Sequence, residues 1–273
     1  MPHTSPYIAH SVSIAAHQGR LTFLGTGTSM GVPVVACDCE VCTSVDVRNN
    51  RLRSSVLIQV KGKHLLIDCG PDFRQQMLRA NVKHLDAILL THAHYDHMSG
   101  LDDVRAFNWQ VQGAMPIYAE HSVHQDMKTR FDYAFQTYKY PGVPEYSLVE
   151  IGEKPFQCMG VDVVPVRVWH HRLPVLGFRV GKMAYVTDVN RIDEPELQKL
   201  MGLDVLVISG LRFETHISHF TLPEALDVIA RVDPRRAFIT HIGHQLGLHA
   251  DVERQLPDHV RLAYDGLEID FEL

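Results

Sequence analysis

LDAILLTHAHYDH, residues 85–97, sets an apolar run directly before three histidines and an aspartate. Leu85 to Thr91 has the composition of a buried strand, and His92, His94, Asp96 and His97 follow it within six positions. Imidazole nitrogens and a carboxylate are good ligands for Zn²⁺ and related divalent ions. A turn at a strand end can aim such closely spaced side chains into one cleft, whereas residues two apart on a helix point to different sides. The spacing suggests His92 and His94 on one cation, with Asp96 and His97 on a second. A lone histidine is more often a core residue satisfied by a carbonyl, but that reading accounts poorly for four ligand-type residues at this spacing.

Outward from this segment the chain reads as strands with interspersed helices. Upstream, a strand over Arg20–Leu24 enters the glycine-rich loop Gly25–Gly31, a hairpin joins 54–60 to 64–68 around Lys61-Gly62-Lys63, and 71–80 has helical spacing. Downstream, a helix is predicted over 102–110 and strands over 115–119 and 161–169. A second hairpin follows (175–180 with 183–186), then a strand over 204–209. Thr221-Leu-Pro opens a helix over 222–232, and strands over 236–240, 260–263 and 267–271 complete the chain. Regular βαβ alternation is missing, which favours an α+β sandwich of two sheets with outer helices. No Pro/Gly/Ser-rich linker divides it, so residues 20–273 read as one domain behind a loosely ordered extension, 1–19.

Composition narrows the function classes. With 26 Lys+Arg against 32 Asp+Glu, the net charge of −6 argues against a large basic surface tracking a nucleic-acid backbone. A small anionic substrate stays open, because bound cations can supply local positive charge. The 18 histidines are a surplus that metal binding uses. No run approaches the roughly 18 apolar residues of a membrane helix. The first nineteen residues hold no Lys or Arg, so the charged start of a secretory signal is missing and a cytoplasmic protein is expected. Three of the five cysteines crowd into Cys37-Asp-Cys39-Glu-Val-Cys42, which in a reducing compartment suggests metal or buried reduced thiols before disulfides. Cys69 and Cys158 stand alone and are expected simply to pack.

The segment His92-x-His94-x-Asp96-His97 resembles the HxHxDH signature of the metallo-β-lactamase superfamily, and the likeness runs from Arg20 onward. The resemblance implies a four-layer αββα sandwich holding two divalent ions, Zn or Mn. His92, His94 and His170 would take the first ion, Asp96, His97 and His241 the second, with Asp188 bridging. His171 rivals His170, which the family pattern favours because a histidine stands a few residues before Leu173-Pro-Val-Leu-Gly-Phe178. Cys37-x-Cys39-x2-Cys42 resembles the PhnP-like branch, the phosphoribosyl cyclic phosphate phosphodiesterases. There, three cysteines and a histidine three residues after the last catalytic one hold a structural zinc. His244 stands at that position.

The resemblance further implies a phosphodiesterase opening a small ribose cyclic phosphate or nucleotide-like diester. A hydroxide held between two cations would attack phosphorus. His219 matches a position near the leaving group, where as imidazolium it can donate a proton or steady an oxyanion; otherwise it precedes and caps the 222–232 helix. His216 reads as an exposed loop residue. Arg53 and Arg105 can pair substrate oxygens or serve structural ion pairs. The glycine loop can approach a phosphate or act as a tight turn. Competing readings are an RNA-processing endonuclease of the superfamily, a carboxylic ester, lactone or thioester hydrolase, and a metal-stabilised binding protein without catalysis. Family analogy also suggests a homodimer.

Overall fold

In the computed structural model, which describes residues 17–273, two seven-stranded sheets stack face to face. The first sheet contains β1 (Gln18–Gly25), β2 (Ser55–Val60), β3 (Lys63–Ile67), β4 (Ala87–Leu89), β5 (Met115–Ala119) and β6 (Tyr146–Glu150) in chain order. The last strand, β14 (Glu268–Glu272), pairs antiparallel with β1 at its edge. The second sheet contains β7 (Phe156–Cys158), β8 (Val161–His170), β9 (Leu173–Val180), β10 (Met183–Val186), β11 (Val205–Ser209), β12 (Arg236–Thr240) and β13 (Val260–Leu262), likewise in sequence order.

Strand alternation explains the layering. In β2 and β3, Val56, Ile58, Val60, Leu65 and Ile67 enter the core between the sheets, while Leu57 and Leu66 face the other way. In β10 and β11, Met183, Tyr185, Val205 and Val207 point inward, and Ala184, Val186, Leu206 and Ile208 outward. Helices cover both outer faces. Phe73 and Met77 of α1 (Phe73–Arg79) and Phe107 of α3 (Arg105–Val111) pack on the first sheet, α2 being the single turn Tyr95–Met98. The second sheet is covered by α6 (Glu194–Gln198), α7 (Leu222–Val232) and α8 (His249–Glu253). Both outward faces are therefore buried, and the four layers are α, β, β and α.

Four differences from the sequence reading have physical causes. The segment predicted as a helix over 102–110 divides into a 3₁₀ stretch, Ser99–Val104, and α3. The strand before the histidines shortens to Ala87–Leu89; Leu90 still packs in the outer core, and Thr91 turns to bond the Asp68 carboxylate. Gln18 and Gly19, assigned to the extension, pair with Glu272 and Phe271 in the sheet; residues 1–16 lie outside the described residues. Strands β6 and β7 and helices α4 (His121–Arg130), α5 (Asp132–Phe135), α6 and α8 were not predicted, and α4 buries only Val123, His124 and Met127 of its ten residues, too few to show as an apolar face. Among the described residues no helix is long and apolar enough to cross a membrane.

Candidate metal centre

Every predicted ligand lies at or just beyond a strand end, on one edge of the sandwich. His92 and His94 follow β4, and Asp96 and His97 sit on α2, with His94 as its N-terminal flanking residue. The turn expected here is thus partly helical, and two consecutive helical residues supply the ligands of one side. Close backbone contacts fix this turn. A Cβ on Gly70 would lie 2.0 Å from the Asp96 carbonyl, and one on Gly100 would lie 2.0 Å from the Gly70 carbonyl. His170 ends β8, Asp188 follows β10 and His241 follows β12. Asp188 (φ 51°) and His241 (φ 55°) adopt the left-handed backbone that L residues avoid, strain of the kind that gathers at functional sites.

The side chains converge. Nε2 of His97 lies 3.1 Å from a carboxylate oxygen of both Asp96 and Asp188, and Nε2 of His241 lies 3.3 Å from the other Asp188 oxygen. Potential ligand atoms cluster within 4.8 Å as Asp96, His97 and His241, as His92, His94 and Asp188, and as His170, Asp188 and His219. Asp188 faces both sides, as a bridging carboxylate must. His170 stands with its ring 5.1 Å from His94 and 5.9 Å from His92, while His171 is exposed and turned out of the strand (φ 58°).

Orphaned atoms test whether cations fit. Nε2 of His92, Nε2 of His97 and both ring nitrogens of His241 are buried without a hydrogen-bond partner. Buried polar nitrogens are ordinarily paired. Nε2 of His97 and Nε2 of His241 stand 3.1–3.3 Å from carboxylate oxygens without a hydrogen bond to them, the arrangement of atoms sharing a common centre. The donor set of imidazole nitrogens and carboxylate oxygens fits divalent ions such as zinc.

Supporting bonds orient most of these rings. His92 Nδ1 meets Thr91 Oγ1 at 2.9 Å, His97 Nδ1 meets Asp68 Oδ2 at 2.7 Å, and His170 Nδ1 donates to the Ser218 carbonyl at 2.7 Å. Thr187 Oγ1 donates to Asp188 at 2.8 Å. Sequence reading did not single out Asp68, Thr91, Thr187 or Ser218. The available signal was positional, since Asp68 ends an apolar strand and a threonine directly precedes His92, Asp188 and His241.

Electrostatics follow from crowding. Burial opposes charge on His97, but Asp188, Asp96 and Asp68 around it push its pKa well above the usual value. Burial also opposes charge on Asp188, yet His241 and His97 hold its carboxyl well below the ordinary range. Burial, then the neighbouring His241, lower the pKa of His219 to about 2, which disfavours the imidazolium form in the absence of a bound anion. Its Nδ1 is buried 3.9 Å from Asp188, and its ring lies 4.4 Å from His170. The cap of α7 is instead Thr221, which forms a reciprocal capping box with Glu224. His216 is half-buried, its ring 5.0 Å from His219, rather than exposed.

The two arginines are engaged elsewhere. Arg53 pairs with Asp72 at 3.0 Å and donates to the Ser29 carbonyl, and Arg105 pairs with Asp102. Neither hydrogen-bonds a member of the cluster, which supports the structural one of their two readings. The glycine loop is a connector, in which Gly27 bridges both Arg53 and Ile242, the residue after His241.

A second candidate site lies nearby. The sulfurs of Cys37, Cys39 and Cys42 stand 3.4, 3.3 and 3.5 Å from His244 Nδ1. Atoms about 2.0–2.3 Å from a tetrahedral zinc lie about 3.5 Å apart, so this S₃N set fits a closed zinc site. The Cys42 backbone N–H, then His244, lower the Cys39 thiol to about 6, while burial pushes Cys42 up to about 11. Cys69 and Cys158 are buried and free, as expected.

Fold and ligand cluster together define a two-sheet sandwich with a cluster of metal-ligand-type side chains at its edge. Residues 63–242 match the model of the β-lactamase superfamily domain. A crystal structure of a diphosphatase from the PhnP family is 39% identical over 94% of this chain and 98% of that one, with a TM-score of 0.88. An octanoyltransferase of Porphyromonas gingivalis is 43% identical over 252 residues, 91% of this chain and 51% of that protein. The chain thus spans about half the length of that relative. A ribonuclease Z of Bradyrhizobium diazoefficiens is 41% identical over 83 residues, 30% of this chain and 22% of that protein. The chain belongs to the β-lactamase superfamily and, within it, to the PhnP family.

Proposed function

We propose that this chain is a binuclear metal-dependent hydrolase that opens a small ribose cyclic phosphate or a nucleotide-like diester. One observation carries the proposal: the buried, unpartnered nitrogens of His92, His97 and His241 converge with the carboxylates of Asp96 and Asp188. Zinc or manganese would be held by His92, His94, His170 and Asp188 on one side and by Asp96, His97, His241 and Asp188 on the other. When bound, such a pair supplies Lewis acidity and a nucleophile at neutral pH. The Cys37, Cys39, Cys42 and His244 set would hold a structural zinc.

The chain's own groups do the remaining work. Asp68 and Thr91 fix the tautomers and planes of His97 and His92, keeping their Nε2 atoms aimed at the centre. Asp96 and Asp188 concentrate negative charge that a cation pair neutralises. His219 is neutral, with one N–H to donate and one lone pair to accept. It can therefore hold a substrate oxygen beside Asp188, and an anionic oxygen placed there raises its pKa toward proton donation.

A phosphorus centre is favoured over the alternatives by the PhnP-family diphosphatase that this chain matches nearly end to end. The ribonuclease Z likeness covers under a third of the chain, and the acidic balance argues against gripping a long RNA. The octanoyltransferase relative keeps a thioester or ester substrate as the second reading. Purified protein should be assayed with bis-aryl phosphate, ribose and 2′,3′-nucleotide cyclic phosphates, a lactone and a thioester side by side. Activity confined to the last two overturns the phosphodiester proposal.

A further inference from the structure

Among the buried histidines of the cluster, His241 is held differently. His92, His97 and His170 each anchor the ring nitrogen away from the centre, on Thr91, Asp68 and the Ser218 carbonyl. Metal-ligating histidines almost always have such a partner. His241 has none, since Nδ1 and Nε2 are both unpartnered. Thr240 precedes it as Thr91 precedes His92, yet the Thr240 hydroxyl is itself buried without a bond. No hydrogen bond orients the imidazole, whose ring neighbours are the stacked rings of His97 at 5.9 Å and His219 at 4.9 Å.

Its backbone is held unusually well. Ile242 N–H donates to Thr26, Thr28 N–H donates to Ile242, and Gly243 N–H donates to Leu211. One residue further, His244 meets the three cysteine sulfurs at 3.3–3.5 Å. The glycine loop that clamps Ile242 also runs into the cysteine segment, where Val34 N–H donates to Cys42 Sγ. The cysteine knot thus grips both partners of the clamp, three residues beyond His241.

We infer that the Cys37, Cys39, Cys42 and His244 knot is the positioning device for His241, setting the metal affinity of the Asp96/His97/His241 side in place of the missing hydrogen bond to the ring. The inference rests on the knot holding zinc, and its test separates that reading from the coupling. A knot serving only general stability loosens both sides of the centre alike. The knot inferred here loosens one.

The test uses intact protein loaded with zinc in the knot and cobalt in the centre. An organomercurial reagent displaces zinc from the half-buried cysteines of the knot, leaving the buried Cys69 and Cys158 unreacted. Zinc released to a colorimetric chelator and the cobalt absorption spectrum are followed together. Release of one zinc should make one cobalt chelator-labile with about a tenfold to hundredfold loss of affinity, the size of effect a lost orienting partner has. The other cobalt should remain. Cys42→Ser should reproduce the pattern without reagent. Zinc release with both cobalt sites unchanged, or with both loosened equally, overturns the coupling. Absence of zinc from the untreated protein's knot overturns the zinc reading and the coupling with it.

Discussion

The histidine cluster and the cysteine knot are both metal-type sites, and they differ in how their ligands are held. In the cluster, ligands from four separate strand ends are gathered over about 150 residues of sequence, most of them buried, with second partners behind His92, His97 and His170. In the knot, three ligands fall within six residues, all half-buried, and a single distant histidine completes the set. In the cluster Asp188 belongs to more than one group of potential ligands, and His219 stands beside it. The knot closes on four donors. On the proposed function, burial and outer partners go with reactivity, and closure with scaffolding.

The largest expected effect falls on the group common to both sides of the cluster. Asp188→Ala should lower diester hydrolysis by at least about a thousandfold, the several kcal/mol that a misplaced metal pair forfeits, while circular dichroism stays native. Turnover within tenfold of the parent would remove Asp188 from the bridge. Asp68→Asn weakens the partner behind His97 and should cost about 10–100-fold in affinity for the metal it serves, read by chelator competition. Cys39→Ser, in the knot, should release about one zinc per chain and lower the melting temperature by several degrees; unchanged zinc content would dissolve the contrast between the sites.

A smaller, pH-dependent effect tests the segment beyond the knot. Buried Arg51 donates to His249 Nδ1 at 3.0 Å, so that nitrogen must be unprotonated. Burial and then Arg51 lower His249 to about 4, below its unfolded value near 6.5. The unfolded chain therefore binds the proton first, and this contribution is complete above about pH 6.5 and lost as pH falls toward 4. His249→Gln should flatten the fall of melting temperature across that window, and an identical slope would show that His249 does not titrate there. The smallest effect expected is from Thr221→Ala, which removes the α7 cap next to the cluster and should cost about 1 kcal/mol in denaturant unfolding.

Much of this was legible in the sequence because ligand chemistry and strand ends are local signals. The run 85–97 announces both, and the short apolar runs Met115–Ala119, Met183–Val186 and Arg236–Thr240 and the amphipathic Leu222–Val232 are sharp enough to fix their ends. Placing His170, Asp188, His241 and His244 needed the family resemblance, since nothing local shows that strand ends so far apart share an edge. Asp68 was missed because its role depends on Thr91 and His97, which only the fold brings to it. The lowered pKa of His219 was equally invisible, because it arises from burial and from a neighbour 22 residues away.

The pairing of β14 with β1 has a consequence for synthesis on the ribosome. Strand β1 is the first of the described strands to be made, yet one of its two neighbours arrives only after all of the second sheet has been made. Until then β1 presents a bare edge of unpaired amides and carbonyls, an invitation to intermolecular pairing. Nascent chains arrested before residue 268 should accordingly be the ones that associate with each other.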